Sequence, residues 1–162
     1  MDRDPGGVSV RRATADDLPF LRTLARRLTA FDGLTTRDPE AIVTSSEETL
    51  TDAVERSLLG APAVAVLVAE SGAGEPLGCA LVQQNSEYFT GEAEAYVAVL
   101  AVTETAERRG VGRALMESAE GWALEHGLSR LALEVFAANH GARSFYRRLG
   151  YVEDSLRLVK LL

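Results

Sequence analysis

A single α/β domain with a mixed central sheet is the fold class this sequence predicts, and three observations predict it. Its 162 residues, 46% of them hydrophobic, suit one buried core and leave a second domain cramped. Between Ala63 and Val102, apolar stretches separated by turn-forming clusters read as an antiparallel meander. From Ala93 onward the order changes to strand, glycine turn, amphipathic helix and strand, the order of a βαβ unit.

Residues 1–7, charged and proline-containing, read as a disordered extension ahead of a domain over residues 8–162. Val8 to Arg12 alternates apolar and polar, as an opening strand does. Thr14-Ala15-Asp16-Asp17 then starts a helix to about Ala30, whose Leu18, Leu21, Leu24, Ala25 and Leu28 share one face. The pattern is poor from Phe31 to Thr51, where Asp38-Pro39-Glu40 opens a short helix, and a separate helix is predicted from about Glu47 to Leu59.

Ala63 to Glu70 reads as a buried strand, Ser71 to Glu75 as a hairpin turn, and Pro76 to Gln84 as the antiparallel partner. The loop Asn85 to Gly91 carries Tyr88 and Phe89, expected to cover a sheet end. A strand over Ala93–Val102 precedes a helix from about Gly110 to His126, with Val111, Leu115, Ala119 and Trp122 on one face. A strand over Arg130–Phe136 follows, and Asn139 caps a helix whose Ala142, Phe145 and Leu149 share a face before Gly150. Tyr151–Glu153 and Leu156–Leu162 are predicted to supply final strands.

Charge and composition narrow the function classes. With 24 acidic against 17 basic residues, the net charge of −7 opposes long polyanions such as nucleic acid and favours cationic ligands. No apolar run is long enough to span a membrane, and no hydrophobic signal segment follows the charged start, so a soluble cytoplasmic protein is expected. The single cysteine, Cys79, sits among apolar neighbours and reads as a buried, inert thiol. His126 and His140 are the only histidines, without ligand spacing, and no metal is predicted.

The stretch Glu107-Arg108-Arg109-Gly110-Val111-Gly112-Arg113-Ala114-Leu115 carries the strongest chemical signal. Glycines admit a ligand close to the main chain, and the first-turn N–H groups of the helix face outward at the positive end of its dipole. The turn therefore reads as an anion site, with Arg108, Arg109 and Arg113 around it. A nucleoside-triphosphate loop would need Lys and then Ser or Thr after Gly112, but Arg113 and Ala114 stand there. A dinucleotide fingerprint would need a small residue where Leu115 is.

Two motifs together carry a family resemblance. One is Val97-Ala98-Val99-Leu100-Ala101-Val102 leading into Arg108-Arg109-Gly110-Val111-Gly112-Arg113-Ala114-Leu115. The other is Asn139-His140-Gly141-Ala142-Arg143-Ser144-Phe145-Tyr146-Arg147-Arg148-Leu149-Gly150-Tyr151. In order and separation they resemble the pyrophosphate loop and the N-x-x-A-x-x-F-Y-x-x-L-G-[FY] pattern of the GCN5-related N-acetyltransferase superfamily.

That resemblance implies helices on both faces of the sheet, strands four and five splayed apart, and acetyl-coenzyme A as cosubstrate. Backbone groups of Arg108, Arg109, Gly110, Val111, Gly112, Arg113 and Ala114 would cradle its pyrophosphate, and Leu100, Ala101 and Val102 would line its pantetheine. A strand-four N–H, that of Leu100 or its neighbour, would meet the thioester oxygen, and Asn139 would contact the coenzyme or simply cap its helix. Glu107 departs from the Gln or Arg usual at its position, and can turn to solvent or pair with an arginine.

For chemistry, the resemblance places Tyr146 as the acid for the departing thiolate, also in contact with the coenzyme. Leu133-Glu134-Val135 resembles the run that carries the base in ribosomal-protein N-terminal alanine acetyltransferases, making Glu134 the first candidate base. Glu94 and Tyr96 compete with it, as does a water chain. The expected activity is acetyl transfer, by direct attack, to a primary amine of a small molecule or peptide amino terminus. A coenzyme-A-binding regulatory or interaction module without turnover, and transfer of a larger acyl group, stay open as alternatives. An exposed sheet edge or the last strand offers a route to a homodimer.

Overall fold

Unbroken burial from Val64 to Ala69 marks a strand covered on both faces, and the fold is arranged around it. The computed structural model describes residues 7–162, so the expected extension lies outside the described residues except for Gly7. Five strands, β1 (Val8–Arg12), β2 (Val64–Ser71), β3 (Pro76–Ser86), β4 (Ala93–Val102) and β5 (Leu131–Leu133), lie side by side in chain order. The first four pair antiparallel, and β5 joins β4 in parallel, which makes the sheet mixed as expected.

Four α-helices cover the two faces: α1 (Leu18–Ala25), α2 (Pro39–Leu58), α3 (Val111–Glu125) and α4 (His140–Arg148). On one face, Val111, Leu115, Met116, Ala119 and Trp122 of α3 pack against Ala80, Val82, Ala95 and Val97. On the other, Leu21 and Leu24 of α1 and Leu50 and Val54 of α2 pack against Val66, Val68, Cys79 and Leu81. Buried Asp17 ties α1 to β1: its carboxylate accepts two N–H groups of Arg11 at 2.8 and 2.9 Å and the Thr14 N–H at 2.7 Å. The Arg11 hydrogen bonds hold its pKa below the ordinary carboxylate range.

Several boundaries differ from expectation. The first helix gives way after Ala25 to a 3-10 turn, Arg26–Thr29. The two helices expected between Asp38 and Leu59 are one, of 20 residues. Asp38 caps it by accepting the Glu40 N–H at 3.0 Å, while Ser46, Thr49 and Thr51 donate back to carbonyls four residues earlier. Burial of Val43, Leu50, Ala53 and Val54 holds the helix together across a polar stretch whose apolar stripe is narrow.

β5 is three residues long where seven were expected, because pairing with β4 ends at Val97 and Leu133. The final strands are absent: residues 151–162 form no strand, and Leu156 and Leu158 are 82% and 92% exposed. A three-residue β5 offers little edge to pair with, and the chain after Gly150 is held instead by Arg143–Glu153 and Arg130–Asp154 ion pairs at 2.6 and 3.1 Å. Tyr88 and Phe89 do not cover a sheet end but stand 90% and 76% exposed.

One glycine is required by a close approach. Gly78 of β3 lies opposite Val102, and a Cβ there would fall 2.8 Å from the Ala101 carbonyl oxygen and 3.2 Å from the Val102 Cα. Backbone cannot yield as a side chain does. Gly78→Ala is therefore expected to cost about 3 kcal/mol of folding stability, read as a lowered urea midpoint; an unchanged midpoint would show that β4 can move aside.

Candidate active site

The glycine turn is built around two left-handed residues. After β4, a 3-10 turn at Glu104–Ala106 buries Ala106; then Arg108 takes φ 60° and Gly110 φ 82°, reversing the chain into α3. Ala114 N–H makes the first helical bond, to the Gly110 carbonyl at 3.0 Å. The N–H groups from Arg108 to Arg113 make no well-aligned hydrogen bond to an oxygen of the described residues, which leaves a row of oriented donors at a helix start. Arg108, Arg109 and Gly110 are exposed, Gly112 and Ala114 half-buried and Val111 buried; Arg113 pairs with Glu117 at 3.7 Å.

A slot opens beside this turn. β4 pairs with β5 only from Ala95 to Val97, then runs on through Leu100, Ala101 and Val102 with no strand paired on that edge. The splay expected of strands four and five is this divergence. β4 also carries a bulge that the sequence pattern does not announce: Leu81 pairs with Val99 and Val82 with Val97, leaving Ala98 without a partner. Consequently Ala95 and Val97 face α3, whereas Val99 and Ala101 face α1 and α2. The bulge lies where the slot begins.

The candidate acid and bases flank the slot from opposite faces of the sheet. Tyr146 packs with Phe145 into the core on the α3 side, its ring 5.9 Å from that of Tyr151. Burial pushes its phenol up to about 12, so it stays protonated at neutral pH. Glu94 and Tyr96 alternate with Ala95 and Val97 and so face the α1–α2 side; Tyr96 is in register with Ala132, which sets Glu134, just beyond β5, on that same face. Burial raises the Tyr96 phenol, and the charges of Glu134 and Glu94 push it further the same way.

Glu94 is buried, and Glu134 is exposed. The Nε of Arg130 stands 3.2 Å from Glu94 Oε2, close enough for an ion pair but not aligned as a hydrogen bond. Glu94 is thus already compensated, whereas Glu134 makes no ion pair among the described residues. Asn139 spends its side-chain oxygen on the Ala142 N–H at 3.0 Å, capping α4.

α4 also touches the glycine turn directly. A Cβ on Gly112 would lie 3.2 Å from Phe145 Cζ, so the missing side chain lets α4 close over the first turn of α3. On the far side, Phe31 and Phe136 rings are 5.5 Å apart and the Arg37 guanidinium lies 5.4 Å from the Phe136 centroid. Arg37 and Phe136 border a shallow cavity of about 470 Å³ that includes Asp38, Ile42 and Ser46. The poor pattern after Phe31 gave no sign of this wall, although an aromatic residue two places beyond Glu134 was visible.

The family model described as the acetyltransferase (GNAT) family matches residues 30–151, which span the slot, the turn and α4. The chain belongs to the GNAT acetyltransferase family. Solved structures agree on its fold. A proposed acetyl transferase from Pyrococcus furiosus is 23% identical, with a TM-score of 0.74 over 96% of this chain and 100% of that one. A GCN5-related N-acetyltransferase from Ralstonia eutropha is 20% identical, TM-score 0.71, over 96% and 99%. The aminoglycoside acetyltransferase AAC(6')-Iy, bound to a coenzyme A–acetylneamine bisubstrate analogue, is 19% identical, TM-score 0.67, over 96% and 97%. No curated protein matches the chain.

Within this GNAT domain, Cys79 is fully buried and its thiol is pushed up to about 12 by desolvation, which fits an inert role. Trp122 is core, stacked on His126 with ring centroids 4.1 Å apart. Among the described residues no cluster of three or more His, Cys, Asp or Glu side chains could hold a metal, and no helix is long and apolar enough to cross a membrane.

Proposed function

We propose that this GNAT domain moves an acetyl group from acetyl-coenzyme A to a primary amine, on a cationic small molecule or a peptide amino terminus, by direct attack. The observation that carries the reading is the parting of β4 from β5 beside a turn of unpaired N–H groups. The N–H groups of Arg108 to Arg113 suit a diphosphate, and the edge of β4 at Leu100, Ala101 and Val102, which no strand covers, suits an amide-bearing arm. The complex of AAC(6')-Iy with its bisubstrate analogue supports the reading, because that fold holds a coenzyme joined to an aminosugar.

The proton accounting assigns the side chains. A simple amine with a pKa near ~10 is mostly charged at neutral pH and must lose a proton before it attacks. Glu134, or water leading to it, takes that proton on the α1–α2 side. The nitrogen then bonds to the thioester carbon, whose oxygen leans on a β4 N–H, that of Leu100 or its neighbour. The C–S bond breaks, and Tyr146 gives a proton to the thiolate from the opposite side; the second proton, which the nitrogen sheds on becoming an amide, passes through solvent and restores the phenol. Desolvation that raises the phenol also raises a thiolate leaving into the same surroundings, which keeps the transfer matched.

A panel of amines and peptides, followed by release of free thiol, tests the activity. Turnover of at least one amine is expected, and coenzyme binding without turnover of any acceptor would sink the catalytic reading. Glu134→Gln is expected to lower kcat/KM at least about tenfold near pH 7 and to approach the parent near pH 10, where the amine is already neutral. Parallel pH profiles for the two proteins would remove Glu134 as the base.

A further inference from the structure

Glu107 is the one side chain of the donor turn whose charge opposes a diphosphate, and the structure shows what holds it. Arg27, in the 3-10 turn that ends α1, reaches across a sequence separation of 80 residues to form an ion pair with the Glu107 carboxylate. The same guanidinium donates its Nε–H to the carbonyl of Val102, the last residue of β4, at 3.4 Å. Arg27 therefore sits where β4 passes into the turn. Arg108 and Arg109, far nearer to Glu107 in sequence, make no ion pair among the described residues, and Arg113 is engaged with Glu117.

We infer that Arg27 is a positioning residue of the donor site, one that binds the Glu107 carboxylate and keeps its charge off the diphosphate. The inference rests on the reading that acetyl-coenzyme A occupies this turn. Remove Arg27, and two effects follow from the charges alone. The freed carboxylate repels a ligand carrying at least two negative charges, and it competes for Arg108 and Arg109, which would otherwise meet the phosphates. Because Arg27 belongs to the helix layer of the acceptor side, the pair also joins that layer to the donor turn.

The test is calorimetric binding of acetyl-coenzyme A to the full chain and its variants. Arg27→Met is expected to weaken binding about tenfold, the deficit shrinking as salt rises, since a partly exposed charge effect is screened. Glu107→Gln is expected to bind at least as tightly as the parent, and Arg27→Met with Glu107→Gln to return to within about threefold of it. A merely structural arginine would not be rescued by removing its partner. Parent-like binding by Arg27→Met, or a double variant as weak as Arg27→Met, would overturn the inference while leaving the donor reading intact. Should Arg27→Met fail to fold, weaker binding by Glu107→Gln alone overturns it. A parent protein that does not bind the coenzyme at all would overturn the donor reading, and this inference with it.

Discussion

Tyr146→Phe is expected to lower kcat by about 10²- to 10³-fold while leaving the Kd for acetyl-coenzyme A within about twofold of the parent. The substitution removes one oxygen and keeps the ring, and the ring is what packs beside Phe145 and Tyr151. No protein hydrogen bond is lost, because the Tyr146 hydroxyl has no partner in the described residues, unlike Tyr151, which donates to Glu120 at 2.9 Å. A free hydroxyl on a phenol pushed up to about 12 is a proton donor available throughout the neutral range. The parent rate is thus expected to rise with pH as the amine deprotonates and not to fall again below about pH 11 through loss of this proton. Parent-like turnover by Tyr146→Phe, with a slow-leaving thiol as acyl donor, would show that solvent protonates the leaving group.

The parts of the fold legible in the sequence are those fixed by periodicity and by turn chemistry. Alternation and a glycine-rich hairpin mark β1 to β4, and the three-and-four spacing of Val111, Leu115, Ala119 and Trp122 marks α3. What escaped depends on partners distant in the chain. The Ala98 bulge arises from a one-residue mismatch between β3 and β4, and nothing local at Ala98 requires it. The polar middle of α2 has little helical face to read, since the six residues between Val43 and Leu50 are all Thr, Ser or Glu. The tail after Gly150 has strand-like letters, but its expression as a strand needs an edge that three residues of β5 do not provide.

The site divides the same way. The donor turn was legible because glycine, arginine and a helix start lie consecutively, so the chemistry is written in one segment. The partner of Glu107 was not, because Arg27 is separated from it by 80 residues and stands in a turn read as the end of an amphipathic helix. The face shared by Glu94, Tyr96 and Glu134 follows from parallel register between β4 and β5, which sequence alternation within each strand only half determines. Compensation of Glu94 by Arg130 then distinguishes two carboxylates that composition alone leaves equal.

Gly112→Val is expected to weaken acetyl-coenzyme A binding at least about 100-fold, or about 2.7 kcal/mol, a larger change than any single charge in the turn should produce. Helix propensity argues the other way, since valine suits a helix better than glycine by a few tenths of a kcal/mol or so. Sterics decide it. The first β-carbon already meets the Phe145 ring at 3.2 Å, and a branched side chain must either displace that ring or project over the row of N–H donors. Displacing Phe145 shifts Tyr146, its neighbour on α4, so kcat falls as well as affinity. The two routes separate with Phe145→Leu added to Gly112→Val: vacating the ring is expected to recover thermal stability and part of kcat, but not the affinity lost over the donors. Full recovery of affinity in that double variant would place the damage in helix packing alone and argue that the diphosphate does not lie against Gly112.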